Sequence, residues 1–202
     1  MQLSASHTPL AELFGPRAGA ARLVKQAVLV VLGITLLAVA AKIKVPIPNT
    51  PVPMTLGTFA VLTIGAAYGA RLGLVTILGY MIIGALGFDV FASSSAEKNG
   101  LTYMMGGTGG YLVGYVLATL TLGALAERGW DRSVIWMAVA MLIGNAMIYV
   151  PGVLWLSHLY EWGLATSFEK GMTPFLVGDA IKLLLAAVLL PLVWKLIGDA
   201  RA

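Results

Sequence analysis

The chain of 202 residues has no cysteine, and only 11% of its residues are Asp, Glu, Lys or Arg. The missing thiols exclude disulfides, thiol catalysis and Cys-ligated metal, and say nothing further about compartment. Soluble globular domains carry about 25% charged residues, so this chain cannot clothe a water-facing surface in the usual way. Several motifs are also absent. There is no GxxxxGK[ST], so the chain has no phosphate loop and cannot by itself hydrolyse ATP. HExxH and GxSxG are missing, and the two histidines, His7 and His158, lie far apart. A lone terminal His7 reads as surface. No catalytic constellation announces itself.

What is present is apolar. The sequence is 59% hydrophobic, its mean hydropathy is +0.89, and long apolar runs recur from Ala27 to Ile197 between short polar breaks. Membrane-barrel strands alternate polar and apolar residues, and these runs do not. The reading is an all-α integral membrane protein, a bundle of six transmembrane helices over residues 25–41, 55–68, 72–86, 106–126, 133–156 and 174–197. The second and third runs are short for a hydrocarbon core that needs ~20 residues. Only the hairpin GAAYGARLG splits them, so four spans with two re-entrant segments is the alternative. Residues 1–24 read as a cytoplasmic N-terminal extension and residues 25–202 as a six-span substrate-binding domain. Basic residues, an apolar run and then Ala38-Val39-Ala40 resemble a cleavable leader. The basic region is too long for one, and cleavage would remove the first span.

The net charge of +4 is not a nucleic-acid footprint, because the basic residues are scattered between apolar runs and form no stripe. Their distribution gives topology instead. With a cytoplasmic N-terminus, Arg17, Arg22, Lys25, Arg71, Arg128, Arg132, Lys195 and Arg201 lie inside, and Lys42, Lys44, Lys98 and Lys170 outside. Both termini are therefore expected in the cytoplasm of a bacterial inner membrane, with lipid all round. Two loops should then share the outer side. KIKVPIPNTPVPM carries Pro46, Pro48, Pro51 and Pro53, which exclude helix and central strand. FDVFASSSAEKNGLTYMMGGTGG joins the third and fourth spans and holds Phe91, Ser93 and Ser94, which line a pocket mouth or are simply exposed loop.

The remaining spans carry polar residues that lipid does not want. Asp179 and Lys182 are three apart and share a helix face, although a charge near a helix centre in a bilayer costs ~2.5–3.5 kcal/mol on the most lenient scale. They form either an ion pair that staples the helix or the polar floor of a solute cavity, since Asp accepts from N–H while Lys donates to oxygen. Asn145 and Tyr149, four apart in GNAMIYVPG, also share a face. Asn in a span is often glue between helices, and Pro151 and Gly152 just beyond can bend the helix. Glycines in GGTGGYLVGY permit close approach, either of a neighbouring helix through Gly106, Gly110 and Gly114 or of a ligand.

In order and spacing, IPNTPVPMTLGTFAVL, GYMIIGALGFDVFA, GGTGGYLVGY, GNAMIYVPGVLWL and GDAIKLLLA resemble the BioY family, the biotin-binding S components of energy-coupling factor (ECF) transporters. The resemblance covers about residues 40–187. It implies high-affinity biotin binding from the outer side, with the Pro-rich loop as a lid and no enzymatic activity. Biotin would be the transported ligand and not a cofactor. Carried onto this chain, the family's contacts point to Thr55, Phe59, Phe91, Ser93, Ser94, Gly109, Gly110, Tyr111, Asn145, Asp179 and Lys182, with Tyr149 beside them. It further implies a membrane-embedded ECF partner subunit and cytoplasmic ATPase subunits, in keeping with the missing phosphate loop. Two departures stand out: SSSAEKNGLTYMM is longer and more polar than in many members, and LAVAAK offers Ala38, Ala40 and Ala41 for docking without a clean AxxxA. An S component for another small vitamin is the near alternative. A small intramembrane enzyme acting on a lipid or prenyl substrate is the distant one, for which only Glu127 and Asp131, in what reads as a solvated loop beside Arg128 and Arg132, offer paired carboxylates.

Overall fold

A computed structural model describes residues 8–95 and 97–199; His7 and Arg201 lie outside them. Among the described residues, seven α-helices carry the fold. They are α1 (Gly19–Lys42), α2 (Gly57–Ala85), α3 (Gly100–Met104), α4 (Gly109–Ala126), α5 (Val134–Leu159), α6 (Leu164–Gly171) and α7 (Leu176–Asp199). Five helical stretches are long and apolar enough to cross a membrane, one of them containing α7. α1 starts at Gly19 rather than at the expected residue 25, because the helix continues through the basic residues that flank its apolar run.

α2 holds the two short runs in one element, but it is not a straight rod. At Gly69 the backbone leaves helical geometry (φ 77°, ψ 174°), a left-handed region that glycine enters at little cost. The limbs 57–68 and 70–85 then fold back on each other. An added Cβ on Gly73 would lie 3.6 Å from the Gly65 Cα, whereas eight residues along a straight helix span about 12 Å. The turn is clasped by the end of α4. The Ala70 N–H donates to the Glu127 carboxylate at 2.9 Å, and Gly123 approaches so closely that a Cβ there would lie 2.3 Å from the Ala70 nitrogen. Glu127 is therefore a cap on the second limb and not a solvated loop residue. Asp131 is buried as well, in a 3-10 turn (Trp130–Arg132), where the Trp194 indole N–H donates to it at 2.5 Å. With the α2 limbs counted separately, the described residues hold six long helical segments, of which the limb 57–68 is the shortest.

α4 sits at the centre, against both α2 limbs and α5. Its glycines at spacing four serve helix packing: a Cβ on Gly110 would meet the Pro151 carbonyl at 2.3 Å, and one on Gly114 the Ile148 Cα at 2.6 Å. α1 is the least buried helix, with Leu23, Val28, Leu32 and Leu36 exposed as lipid-facing residues are. Its small residues are turned the other way. Ala40 and Ala41 are buried in the bundle, so the LAVAAK stretch does not present them as an outward docking face.

The Pro-rich segment between α1 and α2 forms a short antiparallel ribbon, β1 (Lys44–Val45) with β2 (Met54–Thr55), in the register Lys44↔Thr55 and Val45↔Met54. Asn49 turns its tip with φ 65°. This ribbon lies at the end of the bundle away from the chain termini.

Candidate functional site

Beneath the ribbon lies a cavity with about 60 Å³ of free interior space, walled by the ribbon, both α2 limbs, α4, α5, α7 and the loop after α2. On α7, Asp179 and Lys182 face it one turn apart. The Lys182 ammonium donates to Asp179 Oδ1 at 2.9 Å and to Thr58 Oγ1 at 3.0 Å. The other carboxylate oxygen, Oδ2, accepts from the Tyr149 hydroxyl. Both charges are buried, Asp179 at 5% exposure and Lys182 at 9%. A buried pair keeps its charges only when each is hydrogen-bonded as well as paired, and Thr58 and Tyr149 supply those bonds from two other helices.

The opposite wall is aromatic. Phe91 is 1% exposed, stacks on Tyr103 with ring centroids 5.0 Å apart and meets Tyr80 edge-on at 5.3 Å. The absence of a side chain at Gly84 makes this possible, since a Cβ there would fall 2.1 Å from the Phe91 ring. Tyr111 and Tyr115, four apart on α4, close a third side, with the Tyr111 hydroxyl donating to the Gly171 carbonyl at 2.6 Å. Val52, Pro53, Met54 and Thr55 of the ribbon complete the roof. The result is a cavity with a flat aromatic surface, one carboxylate, one ammonium and several hydroxyls, suited to a small partly flat solute that both donates and accepts hydrogen bonds.

Of the residues singled out in the sequence, the cavity is lined by Asp179, Lys182, Tyr149, Tyr111, Phe91 and Thr55. The others lie elsewhere. Gly109 and Gly110 pack against Trp155. Phe59 packs into the core. Ser94 organises its own loop, donating to Asp89 at 2.5 Å and accepting from the Phe91 N–H at 3.1 Å, while Ser93 lies 3.5 Å from the Lys44 ammonium. Asn145 does share a face with Tyr149, but that face opens on a separate, almost wholly apolar groove of about 760 Å³ between α5, α6 and α7. Asp179 and Tyr149 border both spaces. Thr58, Thr108, Tyr80, Tyr103 and Tyr115 also line the cavity, and sequence reasoning missed them. The i, i+4 relation of Tyr115 to Tyr111 was the available signal for one of them.

The end of α1 and the ribbon that follows it are both tied to the loop after α2. Lys42 pairs with Asp89 at 2.5 Å and Lys44 donates to the Ala92 carbonyl at 2.8 Å. Hydrogen bonds from Lys42 and Ser94 hold the Asp89 carboxyl below its ordinary value, against a small opposing effect of burial.

A bundle of membrane-type helices with a cavity at one end, where a buried ion pair faces aromatic rings, is the build of a membrane protein that binds a small solute. Likeness to known proteins narrows that class. The profile of the BioY family matches residues 8–199, and the chain belongs to that family. It is 37% identical over 165 residues to a probable biotin transporter BioY of Pyrococcus horikoshii, covering 82% of this chain and 93% of that one. It is 34% identical over 145 residues to the biotin transporter BioY of Thermotoga maritima, covering 72% and 82% respectively. In fold it matches the S-component for biotin from an ECF-type ABC transporter, known from a crystal structure at 2.1 Å, with a TM-score of 0.78, 21% sequence identity and coverage of 89% of this chain and 95% of that one.

Proposed function

We propose that this chain is a biotin-binding S component that mediates biotin uptake with an ECF energising module, and that the cavity under the ribbon is its binding site. The observation that carries the assignment of the site is the buried Asp179–Lys182 pair on the cavity wall, each partner already braced by one neutral hydroxyl. Biotin has a cyclic urea with two N–H donors and one strong acceptor, a thioether ring and an anionic tail. Each Asp179 oxygen accepts one bond within the protein and keeps a second lone pair for a urea N–H. Lys182 has used two of its three protons, and the third serves a ligand oxygen. The Phe91–Tyr103 surface takes the ring system.

Ligand pockets measure about 300–1,000 Å³, so the loop over residues 44–55 moves outward to admit a vitamin and acts as the lid. Lacking a phosphate loop, the chain takes its energy from a membrane-embedded partner and cytoplasmic ATPase subunits. The positive-inside distribution of its basic residues supports cytoplasmic termini, with the cavity opening on the outer side of a bacterial inner membrane.

The test is titration of the purified, detergent-solubilised chain with labelled biotin, with thiamine and riboflavin as competitors. Saturable binding below micromolar concentration that neither competitor displaces is the expected result. Displacement by another vitamin would move the assignment to a different S-component substrate, and no saturable binding would end it.

A further inference from the structure

At the opposite end of the bundle, away from the ribbon, a second polar cavity of about 590 Å³ opens between the N-terminal segment, α1 and the Gly69 turn of α2. Arg17, Arg22 and Arg71 line it, with Glu12 and Glu127 as the carboxylates. Those carboxylates are already engaged. Glu12 accepts from Lys25 at 3.0 Å and Gln26 at 2.5 Å, and lies 3.7 Å from Arg22. Burial opposes its ionisation, but the bonds from Gln26 and Lys25 outweigh that and lower its pKa, so Glu12 stays charged and committed to them. Glu127 caps Ala70.

Arg17 and Arg71, by contrast, make no ion pair among the described residues. Arg71 stands at the start of the second α2 limb, whose first N–H is already taken by Glu127, so the arginines and not a helix terminus supply the positive charge. Leu23 and Val24, which follow Arg22 on α1, are exposed as lipid-facing residues are. Residues 1–7 carry no acidic side chain that could neutralise the arginines.

We infer that this cavity binds a phosphate group, and that its source is the headgroup of an anionic phospholipid in the leaflet on the side of the termini. Guanidinium forks match phosphate oxygens in geometry and charge. Exposed Leu23 and Val24 would take the acyl chains.

The experiment uses the full chain in detergent, with phosphatidylglycerol or phosphatidylcholine added stepwise. Bound lipid is counted by native mass spectrometry and thermal stability is followed in parallel. Phosphatidylglycerol should be retained and raise Tm where phosphatidylcholine does not. The variant R17Q/R71Q should bind it roughly tenfold to thirtyfold more weakly, since one arginine beside an anionic lipid surface accounts for about fivefold in affinity, with biotin binding unchanged. Should that variant fold poorly, Arg71→Lys keeps the charge and should retain most of the preference. Inorganic phosphate that displaces the lipid would assign the phosphate group alone as the ligand, and lipid that phosphate cannot displace assigns the whole headgroup. Equal retention of the two lipids by the wild-type chain, or an undiminished preference in R17Q/R71Q, would overturn the inference.

Discussion

Removing the charges at Asp179 and Lys182 one at a time and then together separates a ligand-binding pair from a structural staple. Lys182→Met keeps length and removes charge, and Asp179→Asn keeps shape. In either single variant the surviving charge is buried without its counter-ion, which costs about 3–5 kcal/mol of stability. Thr58 and Tyr149 still hydrogen-bond the survivor, which should place the loss toward the lower end. In D179N/K182M no charge remains, and replacing a buried pair by neutral groups is often close to neutral in stability. Thermal unfolding should therefore show two clearly weakened single variants and a double variant restored to near the wild type. Biotin affinity should behave differently, because all three lack groups the ligand needs. Truncating one partner of a buried charged contact costs about 2–5 kcal/mol, or about 30-fold to about 4,000-fold in Kd at 1.4 kcal/mol per decade. Restored stability with lost binding is the expected signature. A stable double variant that binds biotin like the wild type would refute the reasoning and leave the pair as a staple.

Three further outcomes follow from the geometry. Tyr149→Phe removes the hydroxyl that orients Asp179, and losing a hydrogen bond to a charged group, worth about 1.5–3 kcal/mol, should weaken biotin at least about tenfold by titration calorimetry while helix content in circular dichroism is kept. Gly84→Ala drives a methyl into the Phe91 ring, and overpacking of about 1–3 kcal/mol should lower Tm and reduce affinity together; unchanged affinity would show that Phe91 does not shape the bound ligand. Because the Asp89 pKa is lowered in the folded chain, the Lys42–Asp89 tie contributes above the ordinary Asp value of ~3.9 and is lost as pH falls through the lower folded value. Hydrogen exchange across residues 44–55 should accelerate over that acidic window, and Asp89→Asn should remove the dependence.

The helices were legible because the bilayer imposes a strong rule: an apolar run of sufficient length has few other uses. The turn inside α2 was legible too, as GAAYGARLG, although the glycine that makes it could be identified only from the backbone. Asp179 and Lys182 stood out by their cost in lipid. The other site residues were harder, for reasons that differ from one to the next. Helical spacing correctly put Asn145 and Tyr149 on one face, but spacing within a helix does not say which neighbour that face meets, and Asn145 meets the apolar groove. Ser93 and Ser94 have short polar side chains that bond locally as readily as they bond a ligand. In GGYLVGY the glycines are the conspicuous residues while the tyrosines reach the cavity, since Gly109 and Gly110 let Trp155 come close. Thr58 carries no signal of its own; its role exists only because α7 places Lys182 beside it.

The early fold-back of α2 has a consequence for the approach to the charge pair. Residues 57–68 rise only about 18 Å from the Gly69 turn, against a hydrocarbon layer of ~30 Å. The first limb therefore stops well short of the far interface, and the ribbon and the loop after α2 occupy the depth it leaves free. Thr58 at the tip of this limb, and Lys182 beside it, lie beneath the ribbon and not at the end of a full-length span. No residue of this limb is exposed, so the helices packed round it, and not lipid, fill the space beside it. A solute descending to the charge pair thus passes between protein loops, and meets its charges where one short helix ends among longer ones.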